Sequence, residues 1–186
     1  MLRLLCIRHA QSTWNALGRW QGQADPPLSD AGRLEAEVLA ARLSREERPL
    51  ALVTSDLRRA RETAAVLGAA LGLEPEPASA LREIEIGCWS GRATEEIART
   101  WPEEYARFRA GDPELCLGGG ESRRALRERA LGAVRALEAR FGASEIVLVT
   151  HLGWLRALHP GLELPNAGTL WLESAALATP ALEVSG

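Results

Sequence analysis

Two of the three histidines in the chain, His9 and His151, close the short apolar runs LRLLCIR and EIVLVT. Arg8 directly precedes His9, and a third apolar run, LALVTS, is followed by Asp56-Leu57-Arg58-Arg59. A neutral imidazole is a competent nucleophile toward phosphorus, and a covalent intermediate divides one difficult displacement into two easier ones. A guanidinium offers a planar fork of donors that suits phosphate oxygens. Histidines and arginines gathered at one place therefore point to an anion, most simply a phosphate. Each residue alone also has a plainer reading. A strand-end histidine is often satisfied by a backbone carbonyl, and an arginine at position 58 or 59 can pair with Asp56 or Glu62 at the surface. Both arginines fall in the first turn of an expected helix, where a cation opposes the helix dipole by about 0.3–1 kcal/mol. A bound anion offsets that cost and occupies the free N–H groups of the turn. His159 precedes Pro160 in a turn and is assigned to structure or surface.

A parallel sheet would bring these residues to one edge, because such sheets bind ligands just beyond the carboxyl ends of their strands. Arg3–Arg8, Leu50–Ser55 and Glu145–Thr150 are nearly continuous apolar runs, as strands buried on both faces should be. The first is followed by WNALGRWQGQADPPLSDAG, a loop long enough to be functional. Its end, Ser29-Asp30-Ala31-Gly32, opens a helix to about Leu43, and the turn SREERP leads into the second strand. Leu57, Ala60, Ala64, Leu67 and Leu71 form one helical stripe, which Gly72 stops. Glu74–Ala80, with two prolines, reads as an edge strand or extended link, and ALREIEIGCWSG as a loop of short extended character. Ala93–Ala110 reads as two short helices broken at Trp101-Pro102, and Gly111–Gly120 as a loop. Glu121-Ser122 opens a long helix with an apolar face of Leu126, Ala130, Ala133, Val134, Leu137 and Phe141, ended by Gly142. A short helix is expected over Leu152–Leu158, then two β segments at Leu170-Trp171-Leu172 and Ala181–Val184. Strands alternating with helices predict an α/β three-layer domain with a mostly parallel sheet. Residues 1–186 form that single domain, with a helical insertion at about 92–120 over the carboxyl edge.

Length and composition fit this picture. A chain of 186 residues, 46% hydrophobic and 25% charged, can bury a sizeable core. A net charge of −3 offers no overall basicity for nucleic acid or a membrane surface. All 22 basic side chains are arginine, which removes lysine as a catalytic amine; the plain reading of the pattern is codon bias with a thermophile contribution. The apolar stretch in MLRLLCIRHA is too short for a signal peptide, and no run approaches a membrane helix. Cys6, Cys88 and Cys116 form no CxxC pair and read as reduced thiols of a cytoplasmic protein. No HExxH or carboxylate cluster has metal-ligand spacing, so neither metal nor cofactor is expected.

The motifs together resemble those of the histidine phosphatase superfamily, also called phosphoglycerate mutase-like. Ile7-Arg8-His9-Ala10-Gln11-Ser12-Thr13-Trp14-Asn15 resembles its RHG signature, continued by Gln21-Gly22-Gln23-Ala24-Asp25, Pro27-Leu28-Ser29 and Ala31-Gly32. Ser55-Asp56-Leu57-Arg58-Arg59-Ala60 is similar to the second arginine motif, which makes Arg59 the phosphate ligand and Arg58 a supporting charge. Leu81-Arg82-Glu83, with Gly87, Trp89 and Gly91, resembles the motif that bears the acid. Gly119-Gly120-Glu121-Ser122 resembles the start of the later helix, Val149-Thr150-His151-Leu152-Gly153 the second-histidine motif, and Asn166 stands where members open a late strand. The chain departs from the family pattern at Ala10, Gln11, Ser90 and Leu152. Ala10 and Leu152 replace glycines and would be strained if those positions needed positive φ.

The resemblance implies a phosphoglycerate mutase-like fold and a two-step, metal-independent reaction. His9 would attack phosphorus and form a phosphohistidine, while Arg8, Arg59 and His151 stabilise charge on the transferring oxygens. Glu83 would protonate the leaving oxygen and then draw a proton from water, which requires it to carry a proton when substrate binds. Without the resemblance, Glu83 would read as a surface carboxylate paired with Arg82 or Arg92. Asn15, Gln21 and Gly22, with Ser12, would add hydrogen bonds to the substrate. The short insertion resembles small phosphatases of the α-ribazole phosphate and broad-specificity types. This implies a small-molecule phosphomonoester as partner and neither nucleic acid nor membrane. The alternatives are a cofactor-dependent phosphoglycerate mutase and a non-catalytic phospholigand binder. The physiological substrate and oligomeric state stay open, a homodimer included. Trp14, Trp20, Trp89, Trp101 and Trp154 either line an apolar pocket or serve as ordinary packing.

Overall fold

A computed structural model describes residues 1–46 and 49–177. Five strands form one sheet: β1 (Arg3–Arg8), β2 (Ala51–Thr54), β3 (Pro75–Pro77), β4 (Glu145–Thr150) and β5 (Thr169–Glu173). Their order is β3-β2-β4-β1-β5, and only β5 runs antiparallel. The expected second strand is shorter at both ends, and the proline-bearing link is the parallel edge strand, where a residue without N–H is tolerated. The sheet is mixed because β5 returns along β1, with Leu5 opposite Trp171.

Side chains alternate between the two faces of each strand. Leu4, Cys6, Ala51, Val53, Ile146 and Leu148 pack under α6 (Arg123–Phe141) and α7 (Leu152–Leu158). Leu5, Ile7, Leu52, Val147 and Val149 face α2 (Asp30–Glu46) and α3 (Arg58–Leu71). The two faces explain why the strands lack alternation in sequence. Gly72, left-handed at φ 69°, ends α3 with its N–H on the Gly68 carbonyl, and Ser122 caps α6 by accepting from the Ala125 N–H.

The segment 92–120 supplies α4 (Thr94–Thr100) and α5 (Pro102–Arg109), divided at Trp101 as expected. It has its own small core, in which Trp89, Ile97, Leu115 and Leu117 are packed by Trp20 and Phe108. Two elements depart from the sequence expectation. The long loop after β1 contains α1 (Thr13–Ala16), a single turn held by a Ser12–Asn15 capping box, too short to leave a periodic signal. Ser174–Leu177 adds a last turn, α8. The β segment expected at Ala181–Val184 lies outside the described residues. Among the described residues no helix is long and apolar enough to cross a membrane.

Candidate active site

β1 and β4 are neighbours in register, with Arg8 opposite Thr150. The next residue of each strand is therefore a histidine, and the His9 N–H donates to the Thr150 carbonyl at 2.9 Å. The two rings lie 5.1 Å apart, centroid to centroid, at 57°. Both are buried, His151 completely. His9 Nδ1 lies 2.7 Å from the Ala10 carbonyl. A carbonyl can only accept, so Nδ1 carries the proton and Nε2 the lone pair. That lone pair accepts from Arg59 Nε at 3.2 Å. Burial, then the charge of Arg59, holds His9 well below the ordinary imidazole range, and the same causes depress His151. Both rings are neutral at pH 7, the form a nucleophilic imidazole requires.

Arg59 is the second residue of α3 and is itself buried, 1% exposed. Backbone carbonyls make this possible: Nη1 donates to Ala24 at 2.7 Å and Nη2 to Gly22 at 2.8 Å. Gly22 has φ +50°, and a Cβ there would fall 2.5 Å from Ile86 Cγ1, so only glycine places that carbonyl. Burial pushes the Arg59 guanidinium down to about 10, still charged at neutral pH. Arg58 faces outward and pairs with Glu62 at 2.7 Å. One arginine of the pair thus takes the surface role and the other the interior one. Arg8 Nη1 donates to the Leu164 carbonyl at 2.7 Å. Among the described residues, Arg8 Nε and His151 Nδ1 are buried without a hydrogen-bond partner. His151 Nε2 lies 2.8 Å from Ser55 Oγ. A hydroxyl proton given to Nε2 leaves His151 Nδ1–H as a donor. Two such unmatched donors cost about 1–3 kcal/mol each, a cost that an anion's oxygens would remove.

Glu83, in the loop after Leu81, lays its carboxylate against the first turn of α7. Its Oε2 accepts from the Gly153 N–H at 3.0 Å and its Oε1 from Ile84 N–H at 2.9 Å. Neither arginine of the surface reading reaches it: Arg82 forms a two-toothed pair with Asp56 at 2.7 and 2.6 Å, and Arg92 pairs with Glu96. A Cβ on residue 153 would fall 2.2 Å from Glu83 Oε1. Leu152, in contrast, has no positive φ and simply lines the cavity. Ala10 has no positive φ either and packs with Leu28 and Ala36, so neither replacement is strained.

Arg8, His9, Asn15, Gln21, Gly22, Arg59 and Glu83 all line one cavity of about 850 Å³, and His151 backs it through its contact with His9. Asn15 Oδ1 accepts from Ser12 N–H and Asn166 Nδ2, leaving its amide nitrogen as the donor for a ligand. Gln21 is anchored by Ser12 Oγ–H at 2.7 Å. Of the tryptophans, Trp20 lines the cavity while Trp89 and Trp154 are fully buried packing. His159 is exposed at the end of α7. Among the described residues no cluster of three or more His, Cys, Asp or Glu could hold a metal ion.

Two positioning groups are given no role by the sequence. Ser55 orients His151. Arg129, from α6, donates to the carbonyls of Ala80, Arg82 and Glu83 at 3.0, 2.8 and 3.2 Å, and Glu121 holds it at 2.7 Å. The signal for Arg129 is its place on the helix, three residues after Leu126 and four before Ala133, beside the buried stripe.

The sequence pattern of the histidine phosphatase superfamily (branch 1) matches residues 4–179. The chain is 33% identical over 171 residues to phosphoserine phosphatase 1 of Hydrogenobacter thermophilus, covering 92% of this chain and 81% of that protein. It is 39% identical over 174 residues to glucosyl-3-phosphoglycerate phosphatase of Mycobacterium tuberculosis, covering 89% and 77%. A solved mycobacterial glucosyl-3-phosphoglycerate phosphatase in complex with VO3 superposes with a TM-score of 0.84 at 34% identity, over 92% of this chain and 90% of that one.

Proposed function

The chain belongs to the histidine phosphatase superfamily, and on that footing we propose that it hydrolyses small phosphomonoesters through a phosphohistidine formed on His9. The observation that carries the reading is the state of His9. It is neutral, with its Nδ1 proton on the Ala10 carbonyl and its Nε2 lone pair beside Arg59.

In the first step Nε2 attacks phosphorus in line with the ester oxygen. The P–N bond forms, the P–O bond to the alcohol breaks, and the Glu83 proton passes to the leaving oxygen. The Ala10 carbonyl opposes the positive charge that develops on the ring. Arg8, Arg59 and His151 donate to the non-bridging oxygens, whose charge is greatest in the transition state. In the second step water attacks phosphorus, the P–N bond breaks, and Glu83 recovers a proton from the water. Inorganic phosphate leaves and His9 is restored. Asn15 and the Gln21-Gly22 segment orient the ester. We read residues 1–186 as one catalytic unit with 92–120 as an insertion that walls the cavity. The reduced cysteines agree with a cytoplasmic enzyme.

The test is chemical. Brief exposure to a 32P-labelled phosphomonoester should leave an acid-labile, base-stable label on His9, and His9→Gln should remove both label and turnover. Phosphate should appear in step with ester loss and without a bisphosphoglycerate primer. Turnover near the wild-type rate in His9→Gln would overturn the mechanism. Isomerisation of 3-phosphoglycerate upon priming, with little phosphate released, would make the enzyme a mutase.

A further inference from the structure

The charge lining the cavity exceeds what one phosphoryl group requires. Seven arginines and a single carboxylate, Glu83, face it. Arg8 and Arg59 belong to the phosphate end. Arg123 and Arg127 stand one turn apart on α6, and Arg156 projects from α7, which packs beside it. Like charges at that spacing repel, and Arg123 opens its helix, where a cation opposes the dipole. Burial and the nearby charge of Arg156 both disfavour the Arg123 cation.

Among the described residues, neither Arg123 nor Arg127 takes part in an ion pair. Neutral groups fix them instead. Arg123 lies over the Phe108 ring, 4.6 Å from its centroid, and donates to the Phe108 carbonyl at 3.1 Å. Arg127 donates to the Ala157 carbonyl at 2.6 Å. Both are half-buried. Each is therefore oriented by one bond while keeping its charge and further donors uncommitted. Arg156 has Glu163 as a partner, but that pair is open to water, with 41% and 86% of the two side chains exposed, so it neutralises little.

We infer that Arg123, Arg127 and Arg156 form a second anion subsite, and that the preferred substrate carries another anionic group, carboxylate or phosphate, on the alcohol side of the ester. The inference rests on the phosphatase reading for the placement of the first phosphoryl group. An ester with a second anion removes the repulsion along α6, whereas one without it leaves these cations unmatched. The phosphate end sets the chemistry, and the α6–α7 wall sets which alcohol fits.

Equilibrium binding of non-hydrolysable phosphonates tests this without turnover. Propylphosphonate carries one anionic head, 3-phosphonopropionate adds a carboxylate, and propane-1,3-diylbisphosphonate adds a second phosphonate. At low salt the wild-type protein should bind at least one two-headed probe about 10-fold or more tightly than propylphosphonate. Whichever probe gains more identifies the second group as carboxylate or phosphate. Arg127→Gln and Arg123→Gln should each remove most of the gain while changing propylphosphonate binding less than about 3-fold, and Arg127→Lys should keep most of it. Arg123→Gln alone decides the matter if Arg127→Gln does not fold. Equal affinity for all three probes, or equal weakening of all three by the glutamine variants, would overturn the subsite. Absence of phosphate release and of a His9 label with the probe discrimination intact would overturn the phosphatase reading and leave the subsite standing.

Discussion

At the residue scale, the position of the Glu83 carboxyl depends on the absence of a side chain next to it. Gly153 gives Glu83 its N–H and leaves it the space. Gly153→Ala puts a methyl where Oε1 now lies, while the helical backbone itself tolerates alanine. The variant should fold normally and lose about 10²-fold in kcat for alkyl phosphates, which need a proton on the leaving oxygen. Aryl phosphates, whose leaving groups need little protonation, should lose much less. Steady-state rates on one ester of each kind check this; equal losses would show that the acid is another group. The neighbouring leucine has no comparable effect, because Leu152 occupies cavity wall rather than the carboxyl's place. Two adjacent positions, both glycine in the family pattern, thus carry different constraints.

At the scale of elements, α6 holds the segment bearing Glu83 through Arg129, which ties Ala80–Glu83 to the helix by three carbonyls and is held in turn by Glu121. Arg129→Met should lower stability by about 2–3 kcal/mol and reduce kcat more than it raises KM. Arg129→Lys should rescue little, because an ammonium cannot span the three carbonyls in one plane. Urea unfolding alongside kinetics checks both; a stable variant with unchanged kcat would reduce Arg129 to a surface role. The strands and long helices that carry the site are legible in sequence, since β1 and β4 are buried on both faces and α3 shows its stripe and its glycine stop. His9, His151 and Arg59 stand at the ends of those elements and are legible with them. The Arg129 clamp, the Ser55 partner and the carbonyls of Gly22 and Ala24 are not. They depend on segments far apart in the chain meeting in space, and backbone carbonyls leave no residue-type signal. The single turn of α1 falls below the length at which periodicity can be counted.

For the whole molecule, two neutral histidines in the interior make stability depend on acidity. The unfolded chain takes up protons near pH 6.5 while the folded His9 and His151 resist until well below it. Above about pH 6.5 both states hold these rings neutral and their effect is nil. As pH falls through that value the unfolded state binds more protons and stability drops, by up to about 1.4 kcal/mol per pH unit for each histidine. Phosphate-free urea unfolding at pH 7.5 and 5.5 should show the loss, and His151→Gln should roughly halve its slope. A flat profile would mean that the two rings take up protons in the fold as they do in the unfolded chain. The strand order has a further consequence, for synthesis. Among the described residues β1 is hydrogen-bonded only to β4 and β5, so it has no sheet neighbour until β4 has been translated, Arg3 meeting its partner 142 residues later. Through most of elongation an apolar strand is exposed with His9 at its end, open to chaperones and to misassociation. A nascent chain that stops short of β4 lacks both His151 and the strand beside His9, which arrive together.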